Sequence, residues 1–126
     1  MRRLAGEAVK VKLCKAKRLW HGQRMIEILD PADCSTMTEV RAGVDDVDRQ
    51  VVALLKRRFG YMDAAARIKP DRSAVRDEWR KADVLAKVDA AAAEMGVDRT
   101  LMSRLYEELI ETSIAHELEV FDRTRG

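Results

Sequence analysis

The chain has 126 residues, of which 47% are hydrophobic and 37% are charged, and this size and composition fit one globular domain. Only six glycines and two prolines interrupt it, a balance typical of long helices that argues against a β-sandwich or barrel. The formal net charge of +2 conceals a basic start and a mildly acidic remainder, and an acidic body excludes a general nucleic-acid-binding surface there.

Residues 1–33 are predicted to form a basic N-terminal extension that is partly ordered or flexible, either weakly helical or disordered. Residues 1–24 carry eight Lys or Arg side chains against one acid, Glu7. A solvated tail is the first interpretation, and contact with an acidic surface is the alternative. No apolar run approaches the roughly 20 residues that span a bilayer, so we expect no membrane partner and a cytoplasmic location. Cys14 and Cys34 cannot form a disulfide framework.

The first predicted helix begins near Met37 and ends at Pro70. Ser35 or Thr36 can cap its start, Glu39 suits its first turn, and about 33 residues give a length of roughly 50 Å. Steps of three or four residues place one set of positions on a single face, and an apolar stripe of this length cannot be shielded by the helix alone. These positions are Val40, Val44, Val47, Val51, Leu54, Arg58, Met62, Ala65 and Lys69.

Two further helices are predicted. The second starts after Ser73, has Asp77 and Glu78 in its early turns and ends near Gly96. Asp98 or Thr100 opens the third, which runs toward Phe121. The apolar side of the second helix consists of Leu85, Val88, Ala92 and Met95, and that of the third includes Leu101, Leu105, Leu109, Ile110, Ile114 and Val120. The fold class is therefore all-α, with a long, a short and a long helix in one helical domain over residues 34–126.

Several charges interrupt the apolar faces, where a charge is costly unless it is paired. Arg58 and Lys69 lie eleven positions apart, which places them within about 20° of each other around the helix and roughly 16 Å apart along it. Two long cationic side chains can then converge on one anion. Glu117 lies among apolar neighbours on the third helix, where loss of water favours the protonated carboxyl. A purely structural alternative is an Arg58–Glu117 ion pair, with Lys69 reaching out to water.

Arg41 lies about 26 Å from Arg58 along the same helix and about 100° around it. One small ligand cannot touch both side chains on a straight helix. If both bind ligand, Arg41 must serve a site on a partner chain, which favours an intertwined homodimer.

Three stretches resemble the all-helical chorismate mutase family, including its isochorismate pyruvate lyases. They are CSTMTEVRAGVDDVDRQVVALLKRRFGYMDAAARIK at 34–69, VRDEWRKADVLAKV at 75–88 and ETSIAHELEVF at 111–121. The resemblance implies that Arg41 reaches into the partner's site and that Arg58 grips a substrate carboxylate. It also implies that Lys69 contacts the ether oxygen and a carboxylate.

The same resemblance implies roles for residues of the second and third helices. Arg80 matches an arginine that binds another carboxylate edge, with Asp77 one turn earlier, and Ser113 matches a small polar pocket residue. Two positions depart from the family pattern. Lys81 stands where some members have a glutamate that receives the substrate hydroxyl. Glu117 stands where the family has glutamine or glutamate, and a glutamate donates a hydrogen bond only when protonated, which favours activity at mildly acidic pH.

The resemblance implies a chorismate mutase that rearranges chorismate to prephenate in aromatic amino acid biosynthesis, without a metal or other cofactor. Consistent with this, the two histidines and two cysteines lack a recognisable metal-ligand spacing, and no phosphate loop or nucleophile elbow is present. The nearest alternative is an isochorismate pyruvate lyase that makes salicylate and pyruvate, and the terminal DRTRG is lyase-like. A noncatalytic helical binding module is the alternative from another class.

Overall fold

The computed structural model describes the backbone of residues 18–21 and 24–26 and both backbone and side chains of residues 27–125. Three helices dominate, and the predicted long, short, long order is confirmed. They are α1 (Met37–Ile68, 32 residues), α2 (Glu78–Met95, 18 residues) and α3 (Arg99–Arg125, 27 residues). Within the described residues, none of these helices combines the length and apolarity needed to cross a bilayer.

The described part of the N-terminal extension differs from the prediction. Strands β1 (Arg18–His21) and β2 (Arg24–Glu27) pair antiparallel, with Leu19 opposite Ile26. The paired strands differ from the weak helix suggested for these residues, and Trp20 and Ile26 are of types that favour strands. The rest of that prediction, including Cys14, lies outside the described residues. A short 3-10 helix at Pro31–Asp33 precedes α1, and a domain boundary at residue 33 stays a prediction.

A capping box starts α1. The Glu39 backbone N–H donates to Thr36 Oγ1 at 3.2 Å, and Glu39 Oε1 accepts from the backbone N–H groups of Thr36 at 3.1 Å and Ser35 at 2.8 Å. These bonds lower the pKa of Glu39, chiefly through the backbone N–H groups of Ser35 and Thr36. The helix ends at Ile68, two residues before Pro70, as predicted.

The second helix starts later than predicted. Residues Arg72–Ala74 form a 3-10 turn, and Asp77 is the N-cap of α2, where its Oδ1 accepts from the Arg80 backbone N–H at 3.0 Å. The predicted stop at Gly96 is confirmed. Gly96 has a φ of 73°, which a residue without Cβ adopts at little cost, and the N–H of Val97 bonds back to Ala92.

Asp98 opens α3, since its Oδ1 accepts from the Leu101 backbone N–H at 2.9 Å. The chain divides into two compact units, and the boundary falls within α1, between Leu55 and Lys56. In the second unit α3 supplies most of the buried core. The core residues are Ala66, Val75, Ile110, Ile114, Val120 and Phe121, with Val84, Leu85, Tyr106 and Leu118 packed against them.

In the first unit the predicted apolar stripe of α1 is largely exposed. Five side chains define it, and each is between 38% and 63% exposed: Val40, Val44, Val47, Val51 and Leu54. A groove of about 550 Å³ runs beside its first turns, with Ile28, Leu29 and Pro31 on the opposite wall. A contiguous exposed surface of this kind usually marks an interaction site.

Candidate active site

A pocket of about 290 Å³ lies in the second unit. Four cationic side chains and two acidic ones line it, so its formal charge is positive. The cations are Arg58, Lys69, Arg80 and Lys81, and the acids are Asp77 and Glu117. Met62, Val84, Ile110 and Ile114 form apolar walls. Seven of the eight residues predicted for the site therefore meet here, once Ser113 is included.

Lys69 and Glu117 form the buried centre of this pocket. Lys69 Nζ lies 2.7 Å from Glu117 Oε2, and the two side chains are 27% and 4% exposed. At this distance the contact is an ion pair between the ammonium and the carboxylate. Lys69 Nζ also donates to the Val75 carbonyl oxygen at 3.4 Å. Glu117 is thus paired with Lys69, and both the alternative Arg58–Glu117 pair and the outward-reaching Lys69 are wrong.

A hydrogen bond to a serine of α3 holds the Arg58 guanidinium in place. Its Nη1 donates to Ser113 Oγ at 2.7 Å, and Ser113 Oγ in turn donates to the Leu109 carbonyl oxygen at 2.6 Å. The guanidinium carbon lies 5.9 Å from the centre of the Tyr106 ring, within cation–π range. Ser113 is buried, so this bond holds a charged group at a defined place in the pocket wall.

Arg80 lines the pocket, but its guanidinium group pairs with Asp83 of the same helix. Arg80 Nη1 donates to Asp83 Oδ2 at 2.5 Å, one turn along α2, and Lys87 Nζ lies 2.9 Å from the same oxygen. The two cations, Lys87 first, lower the pKa of Asp83. Asp77 serves as the helix cap described above, so the structure gives it a structural role at the pocket rim.

Lys81 belongs to a charged network with Arg76, Glu107 and Glu111. Its Nζ lies 2.7 Å from Glu107 Oε1 and 2.8 Å from Glu111 Oε2, while Arg76 Nη2 donates to Glu111 Oε1 at 2.6 Å. The network lowers the pKa of Glu111 to about 2, through Arg76 first and Lys81 second. It raises the pKa of Lys81 through Glu107 and Glu111. Lys81 is therefore a permanent cation at the edge of the pocket.

Arg41 is the predicted site residue that this pocket does not include. It lies in the first unit, on the exposed surface of α1. Its assignment to a partner's site stays a prediction.

The sequence analysis missed the acidic partners of the pocket cations. Asp83 could have been found, because it lies three positions after Arg80 and four before Lys87, the spacing of neighbours on a helix face. Glu107 and Glu111 could not, because they approach Lys81 from α3 and only the packing of the two helices brings them together.

This arrangement suits binding and charge stabilisation. The lining side chains include neither histidine nor cysteine, and the Ser113 hydroxyl is engaged with Arg58 and Leu109, so no activated nucleophile faces the pocket. Among the described residues no group of three or more His, Cys, Asp or Glu side chains is placed to hold a metal ion. The pocket can hold a small anion and donate hydrogen bonds to it from several cations.

Comparison with known proteins agrees with this geometry. The family model described as chorismate mutase type II matches residues 40–118, which include Arg41 and every predicted residue of the pocket. The chain is also 31% identical over 96 residues to the isochorismate pyruvate lyase of Pseudomonas aeruginosa, an alignment that covers 76% of this chain and 95% of that protein. The chain therefore belongs to the chorismate mutase type II family of all-helical enzymes.

Proposed function

We propose that the protein is a chorismate mutase that converts chorismate to prephenate. The observation that carries the proposal is the buried Lys69–Glu117 pair, set in a small cationic pocket whose opposite wall presents Arg58. A dicarboxylate complements the excess of cations, and a cavity of about 290 Å³ suits a small ligand.

The first contribution to catalysis is selection of the reactive shape. Chorismate carries a flexible enolpyruvyl chain on its ring, and the rearrangement joins the methylene of that chain to the ring as the ether C–O bond breaks. Arg58, held by Ser113, fixes one carboxylate in the folded shape. Arg80 binds the other carboxylate when its guanidinium group leaves Asp83 and contacts the substrate instead.

The second contribution is stabilisation of charge. Negative charge grows on the ether oxygen as its bond to the ring breaks, and Lys69 Nζ, together with a protonated Glu117, donates hydrogen bonds to it. Each preorganised donor contributes about 3 to 4 kcal/mol, and a millionfold acceleration requires about 8 kcal/mol. Two such donors together with orientation are sufficient, and the chemistry needs no nucleophile.

We further propose that the enzyme is an intertwined homodimer. The exposed apolar stripe of α1 is the surface that a second copy would cover. Arg41 lies on the same helix, one residue from Val40, and in this arrangement it completes the pocket of the partner subunit.

A mixing experiment is expected to reveal this sharing of residues. Arg41→Ala and Arg58→Ala should each be inactive alone, because every site lacks one carboxylate contact. Unfolding and refolding the two variants together should restore about a quarter of wild-type activity, since half of the dimers are mixed and one of their two sites has both arginines. Steady-state assay of the mixture checks this. No recovery, with mixed dimers verified by mass spectrometry, would place both arginines in one chain's site.

The second candidate is an isochorismate pyruvate lyase. It is favoured by one observation, the 31% identity to the Pseudomonas aeruginosa enzyme of that name over nearly its whole length. The same cations would hold isochorismate, and cleavage of the ether bond would release pyruvate as hydrogen moves from the ring to the enolpyruvyl methylene.

One assay separates the candidates. Purified protein is given chorismate and isochorismate in parallel at pH 5 and pH 7.5, and the products are identified by chromatography. Prephenate from chorismate supports the mutase, whereas pyruvate and salicylate from isochorismate alone would replace it by the lyase. Turnover of neither compound would favour a noncatalytic binding module.

A further inference from the structure

The C-terminal end of α1 leaves backbone carbonyl groups without helical partners. In a continuing helix the Ala66 carbonyl would accept from the N–H of residue 70. Residue 70 is proline, which has no N–H to donate. Ala66 is fully buried, so its carbonyl needs another donor close by.

Arg125, near the end of α3, supplies that donor. Its Nη2 lies 2.8 Å from the carbonyl oxygens of Ala66 and Arg67 and 2.7 Å from that of Lys69. Its guanidinium carbon lies 4.3 Å from the centre of the Phe121 ring, and Phe121 belongs to the buried core. The guanidinium is therefore fixed on one face by an aromatic ring while its edge caps α1.

These contacts include the backbone of Lys69, whose ammonium is the proposed hydrogen-bond donor in the pocket. Arg125 holds the backbone carbonyl of Lys69, and the Lys69 ammonium reaches Glu117 from that anchor. The neighbouring Arg72–Asp122 ion pair also joins this loop to α3, but both of its side chains are more than half exposed, so its contribution is small. The cap by Arg125 is the stronger connection between the two elements.

We propose that Arg125 is a positioning residue that sets the place of the Lys69 ammonium in the pocket. The consequence for catalysis rests on the proposed function, while the consequence for the geometry of Lys69 does not. A displacement of about 1 Å in a catalytic group can cost up to a hundredfold in rate, so a lost anchor is measurable.

Kinetics of three variants test the proposal. Arg125→Ala should lower kcat by about 10- to 100-fold with little change in KM, because substrate still meets the other arginines while the donor at the ether oxygen is displaced. Arg125→Lys should recover part of the loss. Arg123→Ala is the matched control, since Arg123 contacts Glu119 on its own helix at 3.8 Å and does not cap α1. A kcat for Arg125→Ala within about twofold of wild type, or an equal loss in Arg123→Ala, would overturn the proposal.

A spectroscopic measurement makes the test independent of activity. Protein labelled with ¹³C at the lysine ε-carbon gives one NMR signal for each lysine, and Lys69→Arg identifies the signal of Lys69. That signal should shift in Arg125→Ala and stay in place in Arg123→Ala. An unmoved signal overturns the proposal whatever the activity. If wild-type protein turns over neither chorismate nor isochorismate, the proposed function fails and the NMR result alone decides the positioning role.

Discussion

Replacement of Lys69 by methionine is expected to lower turnover by about a hundred- to a thousandfold, the usual loss when one preorganised donor to a developing oxyanion is removed. Methionine keeps much of the length and apolar volume of the lysine stem but cannot donate. Among the described residues the Lys69 ammonium is the one cation that forms an ion pair with the buried Glu117. Steady-state kinetics on the active substrate should show the loss mainly in kcat.

The same change also leaves the Glu117 charge buried without a partner, at a cost of about 3 kcal/mol in stability. The double variant Lys69→Met/Glu117→Gln separates the two effects, because a neutral amide needs no counter-ion. We expect urea unfolding to show near wild-type stability for the double variant while activity stays low. Lys87→Met is the matched control, since Lys87 is exposed and, among the residues that the structure describes, pairs only with Asp83. Full activity in the stable double variant would rule out a catalytic role for Lys69.

Glu117→Gln is expected to raise turnover near neutral pH by roughly tenfold, because the amide donates a hydrogen bond at any pH while a carboxyl donates only when protonated. The amide also removes a negative charge that competes with a dianionic substrate for Lys69. The variant should show little difference in turnover between pH 5 and pH 7.5. Measured kcat across this range checks both statements.

Glu111 and His116 are two other ionisable residues on α3, and their effects must be separated from that of Glu117 in this experiment. Glu111 does not interfere, because Arg76 and Lys81 lower its pKa to about 2. This lowered pKa contributes stability that is fully present above the ordinary value of 4.5 and is lost as the pH falls from there through about 2, so nothing changes between pH 5 and 7.5. His116 also lies on α3 and pairs with Asp63 at 2.7 Å, and His116→Gln is the control for it. A rise in turnover in His116→Gln equal to that in Glu117→Gln would contradict the donor role.

The helices were predictable because local signals determine their ends. Each of these signals supplies or removes a backbone hydrogen bond within a few residues. Pro70 and Gly96 act in the structure as predicted, while Thr36 and Asp98 are each one of the two caps that the sequence allowed. The predicted start of α2 was wrong because Ser73 and Asp77 are both residue types that can cap a helix. The 3-10 turn at Arg72–Ala74 decides between them through packing around Val75.

The pocket residues were predictable through charges on apolar faces and the family resemblance, but their pairing was not. Periodicity shows that Arg58, Lys69 and Glu117 break an apolar face, and it cannot show which cation the carboxyl meets. That choice depends on how far α3 overlaps α1, which places Ser113 beside Arg58 and Glu117 beside Lys69. The role of Arg125 was equally hidden, since its partners are backbone oxygens 55 or more positions away.

The exposed apolar stripe of α1 affects how every variant should be compared. Under the proposed assembly, covering Val44, Val47 and Leu54 stabilises only the associated chain, so the free energy of unfolding includes the free energy of association. The melting temperature then rises with protein concentration, and dilution alone lowers it. Stabilities of variants are comparable only at one common concentration, and a chain diluted below the dissociation constant of the dimer exposes a surface prone to aggregation.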